Sequence, residues 1–147
     1  MSFLSDIEAF QERALQNASE SVNKVVGELF TSVVALSPSP TNKGNYALGE
    51  LSNQWYTASG TTPSAEVGTA ISDNGADSLA RISSTVEEHL FYGRDNQVSL
   101  SNNTEQAIYA ELLGWLPGKG TGNWIWRGVP AYHMVSKSLN IVLNNNT

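Results

Sequence analysis

Cysteine is absent from this chain of 147 residues. No disulfide can staple it, and a zinc site would have only His89, His133 and carboxylates to draw on, which argues against a zinc scaffold. The lack of thiols is compatible with folding in a reducing cytoplasm. Basic residues are scarce: 8 Lys and Arg stand against 14 Asp and Glu, for a net charge of −6. No window gathers the cations together, so the sequence offers no tight phosphate-binding surface. An acidic surface repels DNA, which suits a conduit better than a clamp. Also missing is any apolar run near the ~20 residues that span a bilayer. Asp6 and Glu8 sit where a signal peptide carries basic residues, so a soluble cytosolic product without a membrane segment is expected. The sequons at Asn17, Asn102 and Asn145 then have no meaning for glycosylation.

What is present fits one globular domain. The chain is 40% apolar and 9% aromatic, enough to bury a core at this length. From Met1 to Leu36, apolar residues fall at Phe3, Ile7, Phe10, Ala14, Leu15, Ala18, Val22, Val25, Leu29, Val33 and Leu36. Steps of three and four predict one long amphipathic helix. Ser2 or Ser5 can cap it, with Glu8 completing a capping box from Ser5. Pro38 and Pro40 end it. At ~1.5 Å per residue it runs to roughly 50 Å, longer than such a domain needs. From Leu15 onward the spacing approaches a heptad. The helix either lies across its own sheet or packs part of its face on a neighbouring subunit, and both can hold.

A loop broken by Pro and Gly then turns into a strand at Trp55-Tyr56-Thr57, with Leu51 and Trp55 expected to bury against the long helix. A weak alternation over Glu66 to Ile71 suggests another strand. Asp73-Asn74-Gly75 is a turn signal. Leu79, Ile82, Val86 and Leu90 predict a second helix of about 15 residues, stopped at Gly93. His89 beside Glu87 and Glu88 invites a metal reading. Neighbouring helical residues do not converge on one point, so a solvated face is expected instead.

Val98 and Leu100 alternate with polar residues as a half-buried strand does. Asn102 and Asn103 end that run in a turn, and Tyr109-Ala110 opens a short apolar patch that stops at Gly114. Strand, turn and Tyr-Ala step are expected to form one folded corner. Beyond it, Pro117-Gly118-Lys119-Gly120 is no phosphate loop: Gly114 to Gly118 encloses three residues where four are required, and Gly120 follows the lysine where Ser or Thr must bind magnesium. A mobile glycine loop is expected. Trp124 and Trp126 flank Ile125 and would share one side of a strand, with three open roles: core, partner contact or ligand stacking. Pro130 stands at a first helical position. The last helix is expected to present Val135, Leu139 and Val142, with His133 on the surface and a tail over 143–147 that frays.

Three separated stretches carry a family resemblance. Asn102, Asn103, Tyr109, Ala110, Leu113 and Gly114 resemble an Asn-Asn, Tyr-Ala, Leu-x-x-Gly corner, with Gly114 directly after Leu113 where the pattern separates the two. Pro38, Pro40, Gly49, Leu51 and Trp55 match a Pro, Gly-x-Leu, Trp approach to a first strand. Pro130 to Val135 resembles the lead-in to a last helix, with Ala and Pro exchanged. Together they resemble the neck and tail-completion proteins of tailed bacteriophages. The fold expected is α+β: a long N-terminal helix (1–36) packed on a small, mostly antiparallel sheet with a middle and a C-terminal helix (37–142). Gly49, Leu51, Trp55, Asn102, Tyr109, Ala110 and Gly114 are its expected motif core.

The resemblance implies a ring homo-oligomer, a hexamer, in the virion after assembly in the host cytoplasm. It would join the head connector or adaptor to the tail terminator or tail tube, with DNA passing through unread and no cofactor. Leu15, Val22, Leu29, Trp115, Trp124 and Trp126 are the candidate contact residues. The rival is a carbohydrate-binding or other tail-associated module using Trp124 and Trp126. No cysteine, two isolated histidines and no Gly-x-Ser-x-Gly leave no nucleophile set, so no enzyme activity is expected, although 14 acidic residues keep a carboxylate-only glycosidase open.

Overall fold

A computed structural model describes residues 2–37, 50–60, 75–88, 97–114, 118–119, 125–126 and 131–147. The fold is α+β, mostly helical, with a long N-terminal helix and a small antiparallel sheet. The expected strand at 66–71, the Asp73-Asn74 turn, Leu90, Gly93, His89, Pro38, Pro40, Gly49 and Pro130 lie outside the described residues.

Helix α1 spans Phe3–Leu36. Ser2 caps it: the Ser5 N–H donates to Ser2 Oγ at 3.4 Å, and Ser5 Oγ donates to Ser2 O at 2.8 Å. Ser5 is therefore inside the first turn, and the capping box between Ser5 and Glu8 does not form. At the other end Ser37 leaves the helix in extended geometry, its N–H donating to Val34 O at 3.1 Å, as a residue before proline must. Only Ser19, Phe30, Val33 and Val34 of α1 are buried. The apolar period runs the length of the helix, but burial is confined to its C-terminal half.

One turn of helix, α2 (Glu50–Asn53), leads into strand β1 (Trp55–Ser59). This turn replaces the direct loop-to-strand passage expected from the sequence. Strand β2 (Val98–Asn102) pairs antiparallel with β1, in a register that sets Trp55 against Asn102 and Ser59 against Val98. Between them comes helix α3 (Ala76–Glu88), started by Gly75 and packed on both α1 and β1. Its Ile82 and Val86 are buried, as the spacing predicts, but Leu79 is exposed and Ser78 takes the inward place, its Oγ accepting the Trp55 N–H at 3.0 Å.

After β2 come a helical turn, α4 (Glu105–Ile108), and a π turn over Tyr109–Leu113. The π turn is closed by Gly114 at φ 66°, whose N–H donates to Tyr109 O at 2.7 Å. Gly118–Lys119 (β3) and Ile125–Trp126 (β4) form a two-stranded antiparallel ladder. Gly118 and Lys119 thus belong to a strand and not to the glycine loop expected there, because backbone pairing tolerates a missing side chain.

Helix α5 covers Met134–Asn145 and packs along α1. It starts four residues after Pro130. Ala110 O accepts from the N–H groups of both Tyr132 (2.6 Å) and His133 (3.3 Å), and this bracket holds the chain out of helix until Met134. Its buried line is Met134, Ser138 and Val142, whereas Val135 and Leu139 are exposed. The face is therefore rotated from the one expected. The tail does not fray as expected: the helix runs to Asn145, and Asn146 Nδ2 donates to Glu28 Oε2 on α1 at 2.9 Å.

One core cluster joins these elements: Phe30, Val33, Val34, Leu51, Trp55, Ile82, Val86, Ala110 and Met134. Leu51 and Trp55 pack against α1 as expected. Tyr109 was expected in this core and is 42% exposed. The π turn gives the inward place to Ala110, whose single methyl lets the 132–133 backbone reach its carbonyl.

Candidate docking surface

Several buried polar groups hold the scaffold together, although Ser101 Oγ and Ser138 Oγ are buried with no hydrogen-bond partner among the described residues. Ser37 Oγ donates to Val33 O at 2.8 Å and accepts from Trp55 Nε1 at 2.9 Å. Ser78 Oγ accepts from the Trp55 N–H at 3.0 Å, and Asn53 Oδ1 from the Asp77 N–H at 3.2 Å. Arg81 Nη1 donates to both Asn53 O (2.8 Å) and Trp55 O (2.9 Å), with its guanidinium 4.1 Å above the Tyr56 ring. Asn102 ties the corner: its Nδ2 donates to Leu51 O at 2.8 Å, while Oδ1 accepts from Thr104 N (3.1 Å) and Oγ1 (2.7 Å). The turn role of Asn102 is legible in the sequence, but its reach to Leu51 is not. Each of these partners is a backbone or neighbouring polar group whose desolvation would otherwise be costly.

Glu111 has a role the sequence does not announce. Its Oε2 accepts from the Val135 N–H at 2.9 Å, and Oε1 accepts from the Ser136 N–H at 3.4 Å and Oγ at 3.3 Å. His133, the residue at the N-cap of α5, is left-handed (φ 53°) and makes no side-chain cap bond. A carboxylate from the π turn therefore supplies the cap and meets the positive end of the helix dipole. Glu111→Ala is expected to cost about 1 kcal/mol, lowering Tm by roughly 3 °C for a chain of this size. An unchanged melting curve would show that the cap adds nothing.

Among the described residues, Leu139, Ile141 and Leu143 of α5 are exposed, and two further apolar stretches bear on docking. The first is the N-terminal arm of α1. Every residue from Gln11 to Ala18 is exposed, and so are Phe3 (79%), Leu4, Ile7 and Phe10 (67%). Leu15 and Val22, expected as contact residues, are exposed. Leu29 is half-buried and packs against the core. The second is the corner, where Ile108, Tyr109, Leu112 and Leu113 are all exposed, with Leu112 at 64%. π turns recur at functional positions because they re-aim side chains within a helix. Patches of this kind mark contact surfaces.

An open groove of about 770 Å³ runs along α1, walled by α3 and α5 and lined by Lys24, Glu28, Leu79, Ile82, Val86 and Ile141. Comparison with protein-family models, curated proteins and solved structures found no match.

Among the described residues, no cluster of three or more His, Asp or Glu is placed to hold a metal. No helix among them is long and apolar enough to cross a membrane. Trp115 and Trp124 lie outside the described residues, as does the Trp126 side chain, although the Trp126 backbone is in β4.

Proposed function

We propose that this chain is a structural subunit of a tailed-phage neck, forming a ring that joins the head connector to the tail and surrounds the DNA channel. Its work is docking and not catalysis. The observation that carries this reading is the arm: half of a 34-residue helix stands clear of its own core while exposing large apolar side chains. Such a helix face is stable in water only at a cost, and contact with another protein removes it. The exposed corner around the π turn offers a second apolar surface, as a subunit with more than one neighbour requires. The net charge of −6 and a sequence in which no window clusters Lys and Arg suit a wall that DNA slides past. The resemblance at the corner, at Trp55 and before α5 points the same way.

Deleting residues 1–14 tests the reading. The truncated chain is expected to keep its melting temperature within a few degrees, since none of the core cluster is removed and surface changes carry small costs. It is expected to be missing from purified particles when it replaces the full-length chain. Incorporation at the normal level, or absence of the full-length chain from particles, would refute the proposal.

A further inference from the structure

The arm carries a stripe whose pattern specifies its occupant. Phe3, Ile7, Phe10 and Ala14 follow one another by four, three and four residues. At about 100° per residue they fall within roughly 60° of the helix circumference. That stripe points away from the side on which Phe30, Val33 and Val34 enter the core, so it is no continuation of the core face. It ends at Asn17, just before Ser19, which is buried where the arm meets the body. The seam from Phe3 to Ala14 is thus about three turns long and leaves the body free.

We infer that in the free protein this stripe pairs with the same stripe of a second copy, antiparallel, as a two-fold dimer. Side-chain sizes select the direction. Antiparallel pairing sets Phe3 against the partner's Ala14, large on small, and Ile7 against the partner's Phe10, so that no layer is left with two phenylalanines or two alanines. Parallel pairing would stack Phe3 on Phe3 and leave Ala14 facing Ala14 across a gap. It would also bring both bodies to the same end.

Charge selects the same direction. Asp6 and Arg13 each precede a seam residue, in the flanking position that faces its counterpart in an antiparallel pair. Asp6 then meets the partner's Arg13, twice by symmetry. Within its own chain Arg13 only donates Nε to Ala9 O at 3.3 Å, and among the described residues the sole ion pair is Lys24 with Glu28.

The area suits a reversible contact. At about 200 Å² per phenylalanine, the exposed fractions of Phe3 and Phe10 on both copies alone remove roughly 600 Å². Ile7, Ala14 and the flanking stems bring the total towards the ~1,200 Å² that divides transient from standard interfaces. Such an area suits a weak, reversible contact, and concentration-dependent dimerisation is expected. The pairing is isologous and closes on itself, so it hides the stripe until another contact displaces it. It concerns the free chain and does not depend on the neck reading.

The chain has no cysteine, so introduced thiols report cleanly. A mixture of Phe3→Cys and Ala14→Cys chains is expected to form the mixed disulfide on mild oxidation. Phe3→Cys alone is not, since its two thiols would lie some 16 Å apart at ~1.5 Å per residue. Efficient cross-linking of Phe3→Cys with itself would establish parallel pairing and overturn the inference.

Sedimentation gives the second arm of the test. Asp6→Arg alone and Arg13→Asp alone should each dimerise roughly fivefold more weakly, for two surface pairs. Mixed, they should recover near wild-type affinity as a heterodimer, because every pair is again of opposite sign. Failure to recover, a chain monomeric throughout the micromolar range, or a dimer that survives deletion of residues 1–14 would each overturn the inference. Helix content by circular dichroism, followed in every variant, separates loss of pairing from loss of the arm. Absence of the chain from phage particles would sink the neck reading and leave the dimer standing.

Discussion

Gly75→Ala is expected to cost about 3 kcal/mol or more, lowering Tm by roughly 10 °C. Gly75 holds φ at 80°, a left-handed conformation that costs an L side chain about 1 kcal/mol. Space is the larger problem. A Cβ built on Gly75 would stand 2.5 Å from Val34 Cγ1 and 3.2 Å from Ser52 O. Val34 is 2% exposed on α1, and Ser52 is buried on α2, so neither can retreat into solvent. Gly75 O also accepts the first intrahelical bond of α3, from Leu79 N at 3.0 Å. A shift at this point would drag α3 away from α1 and β1 together.

Val34→Ala in the same chain separates the two causes. It removes the nearer clash but leaves the backbone penalty and the Ser52 contact. The double variant should therefore lose less than the sum of the two single losses, by more than 1 kcal/mol for residues in contact. Simple additivity in denaturant midpoints would show that the backbone conformation alone sets the cost. A Gly75→Ala chain as stable as wild type would refute both parts.

Gly75 also shows where sequence reading stops. Asp-Asn-Gly announces a turn, but only the fold reveals that α1, α2 and α3 converge on the glycine. The same division recurs elsewhere. The 3.6-residue period of α1 is visible from Phe3 to Leu36, yet it is the same in the half that is buried and the half that is not. Periodicity reports amphipathicity, and the presence of a partner is a tertiary fact. Ile82 and Val86 are legible because a short helix on one core has a single inward side.

The start of α5 is not legible, because its determinants, Ala110 O and Glu111, lie more than 20 residues upstream along the chain. Pro130 is a local signal that these distant partners override. Tyr109 belongs to the motif core that the resemblance implies, yet it is 42% exposed. A π turn widens the backbone by one residue and rotates what faces inward, and no side-chain pattern in the sequence marks one. The contact residues divide on the same principle. Leu15 and Val22 are exposed and Leu29 packs partly against the core, although the three stand seven residues apart at one heptad position.

Trp55→Ala is expected to be the most damaging single change outside glycine, at about 3–5 kcal/mol. Trp55 is buried in the cluster that joins α1, α2, α3, the corner and α5, and it opens β1. Its ring fills the space beneath α1, and its Nε1 donates to Ser37 Oγ at 2.9 Å, fixing the C-terminal end of that helix. Its backbone is held on both sides: the N–H by Ser78 Oγ at 3.0 Å and the carbonyl by Arg81 Nη1 at 2.9 Å. Truncation leaves a cavity that these ties prevent from collapsing, and an uncollapsed cavity is the costly kind. Against a total stability of about 5–15 kcal/mol, such a loss leaves a chain unfolded in part at body temperature.

Trp55→Phe keeps most of the ring and loses the indole donor, so it is expected to cost about 1–2 kcal/mol. Ser37→Ala removes the other end of that bond. The two changes together should cost less than their sum, since they delete one interaction between them. Urea midpoints followed by far-ultraviolet circular dichroism give these values; the protein holds 4 tryptophans, so fluorescence would mix several reporters. A Trp55→Ala chain within 1 kcal/mol of wild type would mean that the core is not organised around this ring, and with it would fall the account of how α1 is anchored at one end and free at the other.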